Sequence, residues 1–355
     1  MAMRLKDIAS HAGVSISTVS RVLNGEPGPS EETVLQVRKA IESSGYLSKR
    51  LAVRKKQPKR DGIKTGNIGL VQLYEGNRSH AELYVELLRG ACAALSSEGI
   101  NVIVGQANAM SDLPPAILNR NVDGLLLLGS PVRGGEMETF LGTYTSVWLT
   151  SHNPNGEDDA VLAGNEKVGR VAAEYLVEGG HKNLAFINPD VDHAVFCRRG
   201  DAFMFAAQQK KVKVEMHGGK CYELDEKGLP NFGHLEAKLK PVFERMMNKK
   251  NRPTGFFIPN DLITAISYRI LQSLGIQIGK DIEVISFGHE LTYLAGLSPR
   301  PAMIDSGAEL IGRRGVEQLL WRLCNPDQDR TVEVAIDPHI VPSETRREVG
   351  IKNYV

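Results

Sequence analysis

The first 24 residues constrain the fold of this chain more than any other segment. They read MAMRLKDIASHAGVSISTVSRVLN, in which two short helical patterns lie on either side of Gly13. One side of the second helical pattern is apolar and is formed by Val19, Val22 and Leu23. The opposite side carries polar residues at helical spacing, namely Ser17, Ser20, Arg21 and Asn24. This pattern predicts one face that packs into a core and one face that contacts another molecule.

A short helix, a glycine turn and a second helix with a polar outer face are typical of a helix-turn-helix, whose second helix fits the major groove of B-DNA. Ser15 is placed to cap the second helix. A third helix is predicted from about Glu31 to Ser44 and ends at Gly45. The predicted core residues of the first and third helices are Leu5, Ile8, Ala9, Ala12, Val34, Val37 and Ile41. Residues 1–46 are therefore predicted to form an all-α three-helix domain that binds double-stranded DNA.

The positive charge of the chain is concentrated in the same region. Residues 1–64 hold 13 Lys and Arg against 6 Asp and Glu, whereas the remaining residues hold 30 against 36. The net charge of +1 therefore combines a basic N-terminal part with an acidic remainder. The alternative is a helical bundle with a merely solvated polar face, but such a bundle does not require this asymmetry. Attraction to DNA phosphates confined to one end of the chain does require it.

The segments LKDIASHAGVSISTVSRVLNG and SEETVLQVRKAIESSGY closely resemble the DNA-binding domain of the lactose-repressor (LacI/GalR) family of bacterial transcription regulators. The resemblance implies that Ile16, Ser17 and Arg21 read base edges. It also implies a group that contacts the DNA backbone, formed by Ser15, Thr18, Ser20 and Asn24. The side-chain chemistry agrees, because an arginine can donate two hydrogen bonds to guanine and an isoleucine can contact a thymine methyl group.

Residues 47–64 contain eight Lys and Arg and one Asp, together with Pro58 and Gly62, and are predicted to form a charged linker. The alternative is a solvated tether with no role beyond its reach. In the resembling family this segment forms a hinge helix on the operator, and a leucine from each subunit wedges into the minor groove. Lys55 stands at that position here, so the resemblance does not predict the same kink in DNA. We expect minor-groove or phosphate contacts from the linker residues Arg50, Arg54, Lys55 and Lys56.

Residues 65–355 alternate short apolar runs with helical patterns, beginning with NIGLVQL, NVIVGQA and VDGLLLLG. Apolar strands separated by helices predict parallel sheets that are covered on both faces. The length of this part predicts two α/β lobes, each a doubly wound parallel sheet. We place the first lobe at about 65–163 and 305–331, and the second lobe at about 164–304 and 332–355.

This body also resembles the periplasmic-binding-protein-like body of the same family, through YVELLRG, VDGLLLLG, EYLVEGGHKNLAFIN and FFIPND. The resemblance implies an effector site between the lobes that includes Tyr84, Arg199 and Asn260. Gly288 stands where the family commonly has an aspartate that grips sugar hydroxyls, which weakens the expectation of a simple hexose or pentose.

Polar side chains that follow the apolar strands add further candidates for the effector site. Ligands of doubly wound sheets bind at the carboxyl ends of the strands, where Asp261, His289 and Glu290 are found. Amide, carboxylate and imidazole groups suit a polar small molecule better than a lipid. We therefore expect a small polar effector, with a sugar or sugar derivative as the leading class.

Signatures of other chemistry are absent from the sequence. The four cysteines lie far apart without a C-x-x-C pair, so the sequence predicts reduced thiols and neither a zinc site nor a disulfide framework. The sequence lacks H-E-x-x-H spacing, a P-loop, a dinucleotide fingerprint and a nucleophile elbow. No cofactor, metal ion or catalytic residue is predicted. The sequence also lacks a signal peptide and an apolar span of about 18 residues, which predicts a cytoplasmic protein beside the nucleoid, without membrane contact.

Together these features predict a regulator that binds a near-palindromic DNA operator as a homodimer and responds to an effector in the cleft. Repression is implied by the resemblance alone. The polar C-terminal segment without heptads favours a dimer over a tetramer. One alternative is an enzyme with a DNA-binding domain and a polar cluster of Asp261, His289 and Glu290. The other is a regulator whose body binds a protein partner, which a cleft blocked by Trp148 or Tyr84 would favour.

Overall fold

The chain folds into two compact units, Met1–Arg60 and Asp61–Val355, which we call the head and the body. The computed structural model describes residues 5–24, 28–44, 62–73, 81–129, 135–152, 158–221, 223 and 231–346. The linker residues Arg50, Arg54, Lys55 and Lys56 lie outside the described residues, so their predicted DNA contacts stay predictions.

The head contains the three predicted helices, α1 (Leu5–Ala12), α2 (Ile16–Asn24) and α3 (Glu31–Ser44). Gly13 makes the turn between α1 and α2 with a φ of +65°, a backbone conformation that glycine adopts without strain. The Oγ atom of Ser15 accepts a hydrogen bond from the backbone N–H of Thr18 at 3.1 Å, which is the predicted cap of α2.

A small hydrophobic core holds the three helices of the head together. Its buried residues are Ile8, Ala9, Val19, Val37 and Ala40. Val34, predicted to face inward, is partly buried and lies outside this core. Ala40 is buried instead, because it follows Val37 by three residues and so shares its side of α3.

The first lobe of the body begins with five strands that alternate with helices. In chain order these elements are β1 (Asn67–Leu73), α4 (Ala81–Ser97), β2 (Asn101–Ala107), α5 (Pro115–Leu118), β3 (Gly124–Gly129), α6 (Gly135–Leu141), β4 (Ser146–Leu149) and β5 (Asp159–Ala163). The five strands are parallel and run in the order β5-β4-β3-β1-β2.

The chain then crosses to the second lobe, which repeats the same alternation. Its elements are α7 (Asn165–Glu178), β6 (Asn183–Asn188), α8 (Ala194–Gln209), β7 (Lys213–Gly218), α9 (Phe232–Met247), β8 (Gly255–Ile258), α10 (Asp261–Ser273), β9 (Glu283–Gly288), α11 (Leu291–Leu294) and β10 (Ala302–Asp305). These strands are parallel and run in the order β10-β9-β8-β6-β7. The predicted pair of doubly wound lobes is confirmed.

Two further crossings between the lobes complete the body. The helix α12 (Ala308–Cys324) and the strand β11 (Glu333–Ile336) belong to the first lobe, where β11 pairs in parallel with β5. The strand β12 (His339–Val341) then pairs antiparallel with β10 at the edge of the second sheet. The assignment of 332–355 to the second lobe was therefore wrong for β11. Its hydrophobic pattern suits either sheet, and the hydrogen bonds to β5 depend on residues far away in the sequence.

Hydrophobic clusters cover both faces of each sheet, as the continuous apolar strands predicted. Along β1, for example, Ile68 and Leu70 belong to one cluster and Val71 and Leu73 to another. Trp148 lies in the core of the first lobe, and its indole N–H donates to Asp158. In the described part of the chain, no helix combines the length and the apolar composition needed to cross a bilayer.

Asp123, immediately before β3, anchors the chain where the body begins. One carboxylate oxygen accepts hydrogen bonds from the backbone N–H groups of Lys64 and Thr65, at 2.9 and 2.8 Å. The other accepts from the N–H of Gly66 at 2.7 Å. The chain that follows the basic linker is therefore fixed to the first lobe before β1 starts.

Candidate functional sites

The polar side of α2 is the candidate DNA-binding surface of the head. Val19 is fully buried, so the residues on the opposite side of the helix face outward. Ser17 and Arg21 are exposed, and Thr18 and Ser20 are partly exposed. These residues can offer hydroxyl groups and a guanidinium group to the phosphates and base edges of DNA.

The beginning of α2 adds an apolar contact to this surface. The side chain of Ile16 is 49% exposed, although a large aliphatic side chain is more often buried. Ser15 lies next to it, with its Oγ atom 2.7 Å from that of Ser17. The backbone of Asn24 ends α2, but its side chain is not among the described features. The predicted DNA contacts of these residues remain predictions.

The second candidate site is a cavity of about 210 Å³ between the two lobes of the body. It opens where strands of both sheets end, which is the position expected for a ligand of doubly wound sheets. Its lining residues are Gln72, Leu73, Leu83, Leu128, Gly129, Thr150, Ser151, His193, Val195, Phe196, Arg199, Pro259, Asn260, Phe287, Gly288, Glu290 and Ser306. Three of the six predicted effector residues are among them.

Arg199, on α8, is a buried charged group at this cavity. Its side chain donates from Nε to Oδ1 of Asn165 and from Nη1 to the carbonyl oxygen of Pro259, both at 2.9 Å. The guanidinium lies 3.6 Å from the centre of the Phe287 ring. Burial lowers the pKa of Arg199 to about 9, so the group remains protonated at neutral pH. Its position is fixed before any ligand arrives.

Asn260 lies at the cavity as predicted, whereas Asp261 does not reach it. The Oδ1 atom of Asn260 caps α10 by accepting from the N–H of Ile263 at 3.1 Å. Asp261 is fully buried, and its carboxylate accepts from the hydroxyl of Ser286 and from the N–H of Glu290. Burial raises the pKa of Asp261 to about 7. This carboxylate holds the ends of β8 and β9 together and is not among the residues that line the cavity, so its effector contact stays a prediction.

The other predicted residues divide between the cavity and its surroundings. Glu290 lines the cavity, and its Oε1 atom lies 3.5 Å from the backbone nitrogen of Leu83 at the start of α4. His289 lies outside the lining and pairs with Asp305 at 3.5 Å, and this hydrogen bond raises the pKa of the imidazole. Tyr84 packs against a hydrophobic cluster and is likewise outside the lining. The structure therefore does not support effector contact for His289 and Tyr84.

The lining residues that the sequence did not predict include three rings and one buried hydroxyl. His193 and Phe196 stack at the start of α8 with ring centres 4.2 Å apart, and Phe287 lies under Arg199. Ser306 follows β10 at a crossing between the lobes, and its side chain is buried. The rule that places ligands after strands would have found Ser306, but the short run AMID was not identified as a strand.

Comparison with known proteins agrees with both parts of this architecture. Residues 4–48 match the family model of bacterial regulatory proteins of the lacI family. Residues 173–345 match the model of a periplasmic binding protein-like domain. The first match spans the three helices of the head, and the second spans most of the second lobe together with α12 and β11.

Relatives and solved structures extend the similarity over nearly the whole chain. The ribose operon repressor of Haemophilus influenzae is 25% identical over 92% of this chain and 93% of its own length. The transcriptional repressor PurR of Photorhabdus laumondii is 25% identical, with 93% of each chain covered.

Among solved structures, the regulator CelR in complex with cellobiose has a TM-score of 0.64 at 21% identity, covering 97% of this chain and 99% of its own. The Lac repressor dimer bound to operator and an anti-inducer has a TM-score of 0.61 at 18% identity with the same coverage. These two structures support the fold. The chain therefore resembles, in its head and in its body, the LacI family of bacterial DNA-binding transcription regulators, and the two relatives named above are transcriptional repressors.

Proposed function

We propose that this chain represses transcription as a homodimer whose two heads read the halves of a near-palindromic operator. The observation that carries the proposal is the outward face of α2, where Arg21 and Ile16 are exposed opposite a buried Val19. A symmetric pair of such heads would recognise a symmetric site, because the half-site spacing follows from the two-fold axis of the protein. The lac repressor of similar fold is a dimer on its operator, which supports the same assembly here. Such a regulator acts in the cytoplasm, beside the nucleoid.

Exposed apolar side chains on both lobes of the body support the homodimer. Val85 on α4 is 60% exposed, and Leu291 on α11 is 38% exposed. Burial of such side chains against a second copy would remove apolar surface from water. Sedimentation equilibrium at micromolar concentration is expected to give twice the mass of the chain. A monomer or a stable tetramer would contradict the proposed assembly.

We propose that a small polar effector binds between the lobes and changes the affinity for the operator. Arg199, Asn260 and Glu290 converge on the cavity and supply charged and directional contacts. The effector alters operator binding only by the difference in its affinity for the two conformations of the body. The cellobiose complex of a regulator with this fold supports a carbohydrate or a carbohydrate derivative.

The alternative of a protein partner lacks support from the described residues. Trp148 lies in the core of the first lobe and Tyr84 lies outside the cavity lining, so neither side chain blocks the cleft.

Selection of bound sequences from random double-stranded DNA tests the regulatory function directly. We expect a site with two inverted half-sites. Recovery of sequences without any common motif would refute the proposal.

A further inference from the structure

Arg199, which lines the cavity, donates hydrogen bonds to two uncharged groups of the protein and has further N–H groups left. A guanidinium carries five N–H groups. Within the described residues, Arg199 uses one on the side-chain oxygen of Asn165 and one on the carbonyl oxygen of Pro259. Its Nη2 atom forms no hydrogen bond with the described part of the chain. Three N–H groups of a fixed cation are therefore available to a ligand.

The neighbouring Asn260 also presents a donor to the cavity. It uses its Oδ1 atom in the cap of α10, so the part of its side chain that remains for a ligand is the NH2 group. An amide NH2 group only donates hydrogen bonds, so it favours a ligand that carries acceptors.

Ser306 provides an independent sign that a ligand belongs in this cavity. Ser306 is 3% exposed and lines the cavity. Within the described residues, the hydroxyl has no hydrogen-bond partner. A buried polar group without a partner is costly, and its pairing is expected when a ligand is bound. The hydroxyl of Ser306 can donate a hydrogen bond to an anionic oxygen of a ligand, as the N–H groups of Arg199 can.

Carboxylates are scarce among the described residues that line the cavity. A Cβ atom at Gly288 would lie 2.4 Å from Oδ2 of Asp261, and the φ of Gly288 is +140°, so a side chain cannot stand at this position without displacing that carboxylate. Asp261 accepts from Ser286 and from the N–H of Glu290. Among the described lining residues, Glu290 alone carries a carboxylate, and it faces the start of α4. The charge of Asp261 also acts on Arg199, but neither hydrogen-bond acceptor of the guanidinium among the described residues is a carboxylate.

We propose that the effector of this protein is an anion, a small polar metabolite whose carboxylate or phosphate group is bound by Arg199 and Ser306. This inference rests on the proposed effector site and names the chemistry of its ligand. A planar guanidinium held by Asn165 and Phe287 is preorganised for paired hydrogen bonds to an oxyanion. A neutral sugar would instead need acceptors for its hydroxyl protons, and among the described lining residues Glu290 carries the one carboxylate.

Thermal shift and calorimetry on the full chain test this inference with matched compounds. The panel contains D-glucose, D-gluconate, D-glucuronate and D-glucose 6-phosphate, together with D-ribose, D-ribonate and D-ribose 5-phosphate, at constant ionic strength. We expect a saturable rise in melting temperature with an acid or a phosphate and none with its neutral parent. The carboxylate and phosphate arms identify the anionic group. A shift with neutral sugars alone, or with no compound in the panel, overturns the inference.

Three variants connect the binding to the cavity. Arg199→Met is expected to weaken binding of the active anion by roughly tenfold to a hundredfold, because a charge-assisted contact is lost. Arg198→Met is the matched control, since Arg198 is exposed on the same helix, and unchanged binding is expected. Ser306→Ala removes only the unpaired hydroxyl, so it should fold normally and weaken binding by about threefold to tenfold. Unchanged affinity in Ser306→Ala and Arg199→Met overturns the inference, and if Arg199→Met does not fold, Ser306→Ala decides alone.

The outcomes separate this inference from the proposed function. These binding assays contain no DNA, so an anion can bind even if no operator is found. A neutral compound that releases the operator would overturn the anionic chemistry and leave the effector-controlled repressor in place.

Discussion

Replacement of Asp123 tests whether the start of the body depends on a single carboxylate. Asp123→Ala removes the acceptor of three backbone N–H groups, those of Lys64, Thr65 and Gly66. A hydrogen bond to a charged group contributes about 1.5–3 kcal/mol when its donor is left unsatisfied. The N–H of Lys64 is in an exposed setting, so water replaces its acceptor, while the other two are partly buried. We therefore expect a loss of about 2–4 kcal/mol in the free energy of unfolding.

Asp123→Asn gives a graded version of the same change. The amide oxygen can keep the bonds to Lys64 and Thr65, but its NH2 group then faces the N–H of Gly66. One contact and the charge are lost, for an expected cost of about 1–2 kcal/mol. Asp327→Ala is the control, because Asp327 is exposed and its cost should stay within about 0.5 kcal/mol.

Urea unfolding followed by tryptophan fluorescence measures these changes in the intact chain. The chain has two tryptophans, Trp148 on β4 and Trp321 on α12, and both belong to the first lobe that Asp123 stabilises. The midpoint should shift in the order Ala, Asn, wild type, with an unchanged slope. A midpoint for Asp123→Ala equal to that of Asp327→Ala would show that these three hydrogen bonds do not stabilise the body. A looser start of the body should also reduce the effect of a cleft ligand on operator affinity.

Three further changes have defined outcomes. Arg21→Ala should reduce the preference for one base pair of the operator over the others by about 1–3 kcal/mol of binding free energy. In DNA selection with this variant, that position should accept several bases. Gly312→Ala places a Cβ atom 2.1 Å from a backbone oxygen of α4, so α4 and α12 must separate. We expect a loss of about 1–3 kcal/mol in the free energy of unfolding, and an unchanged melting temperature would contradict this. Between pH 5 and 8 the free energy of unfolding should fall as the pH rises. Burial raises the pKa of Asp261 to about 7, and the hydrogen bond that His289 donates to Asp305 raises the pKa of His289, so both groups protonate more readily in the folded state. Urea titrations at several pH values check this, and Asp261→Asn with His289→Asn should flatten the slope.

The predictable part of the site consists of residues at the ends of recognisable strands. Asn260 and Glu290 line the cavity where their positions after β8 and β9 suggested. Asp261 fails the same rule, because the first turn of α10 directs its carboxylate into the protein toward Ser286. The position of a residue directly after a strand predicts that it lies at the carboxyl edge of the sheet. The direction of its side chain depends on the groups that it contacts.

The amino-acid sequence alone determined the helix-turn-helix and the alternation of strands and helices in the body. Both follow from local periodicity, because a helix or a strand repeats its buried side within a few residues. The tertiary structure decided which sheet holds β11, that Ser306 lies at the cavity, and that Arg199 is held there by neutral partners. These features depend on the strand β5 and on residues such as Asn165 and Pro259, which are distant in sequence from their partners. Contacts of this kind form only when segments far apart in the chain pack together within a lobe, so no local pattern can record them.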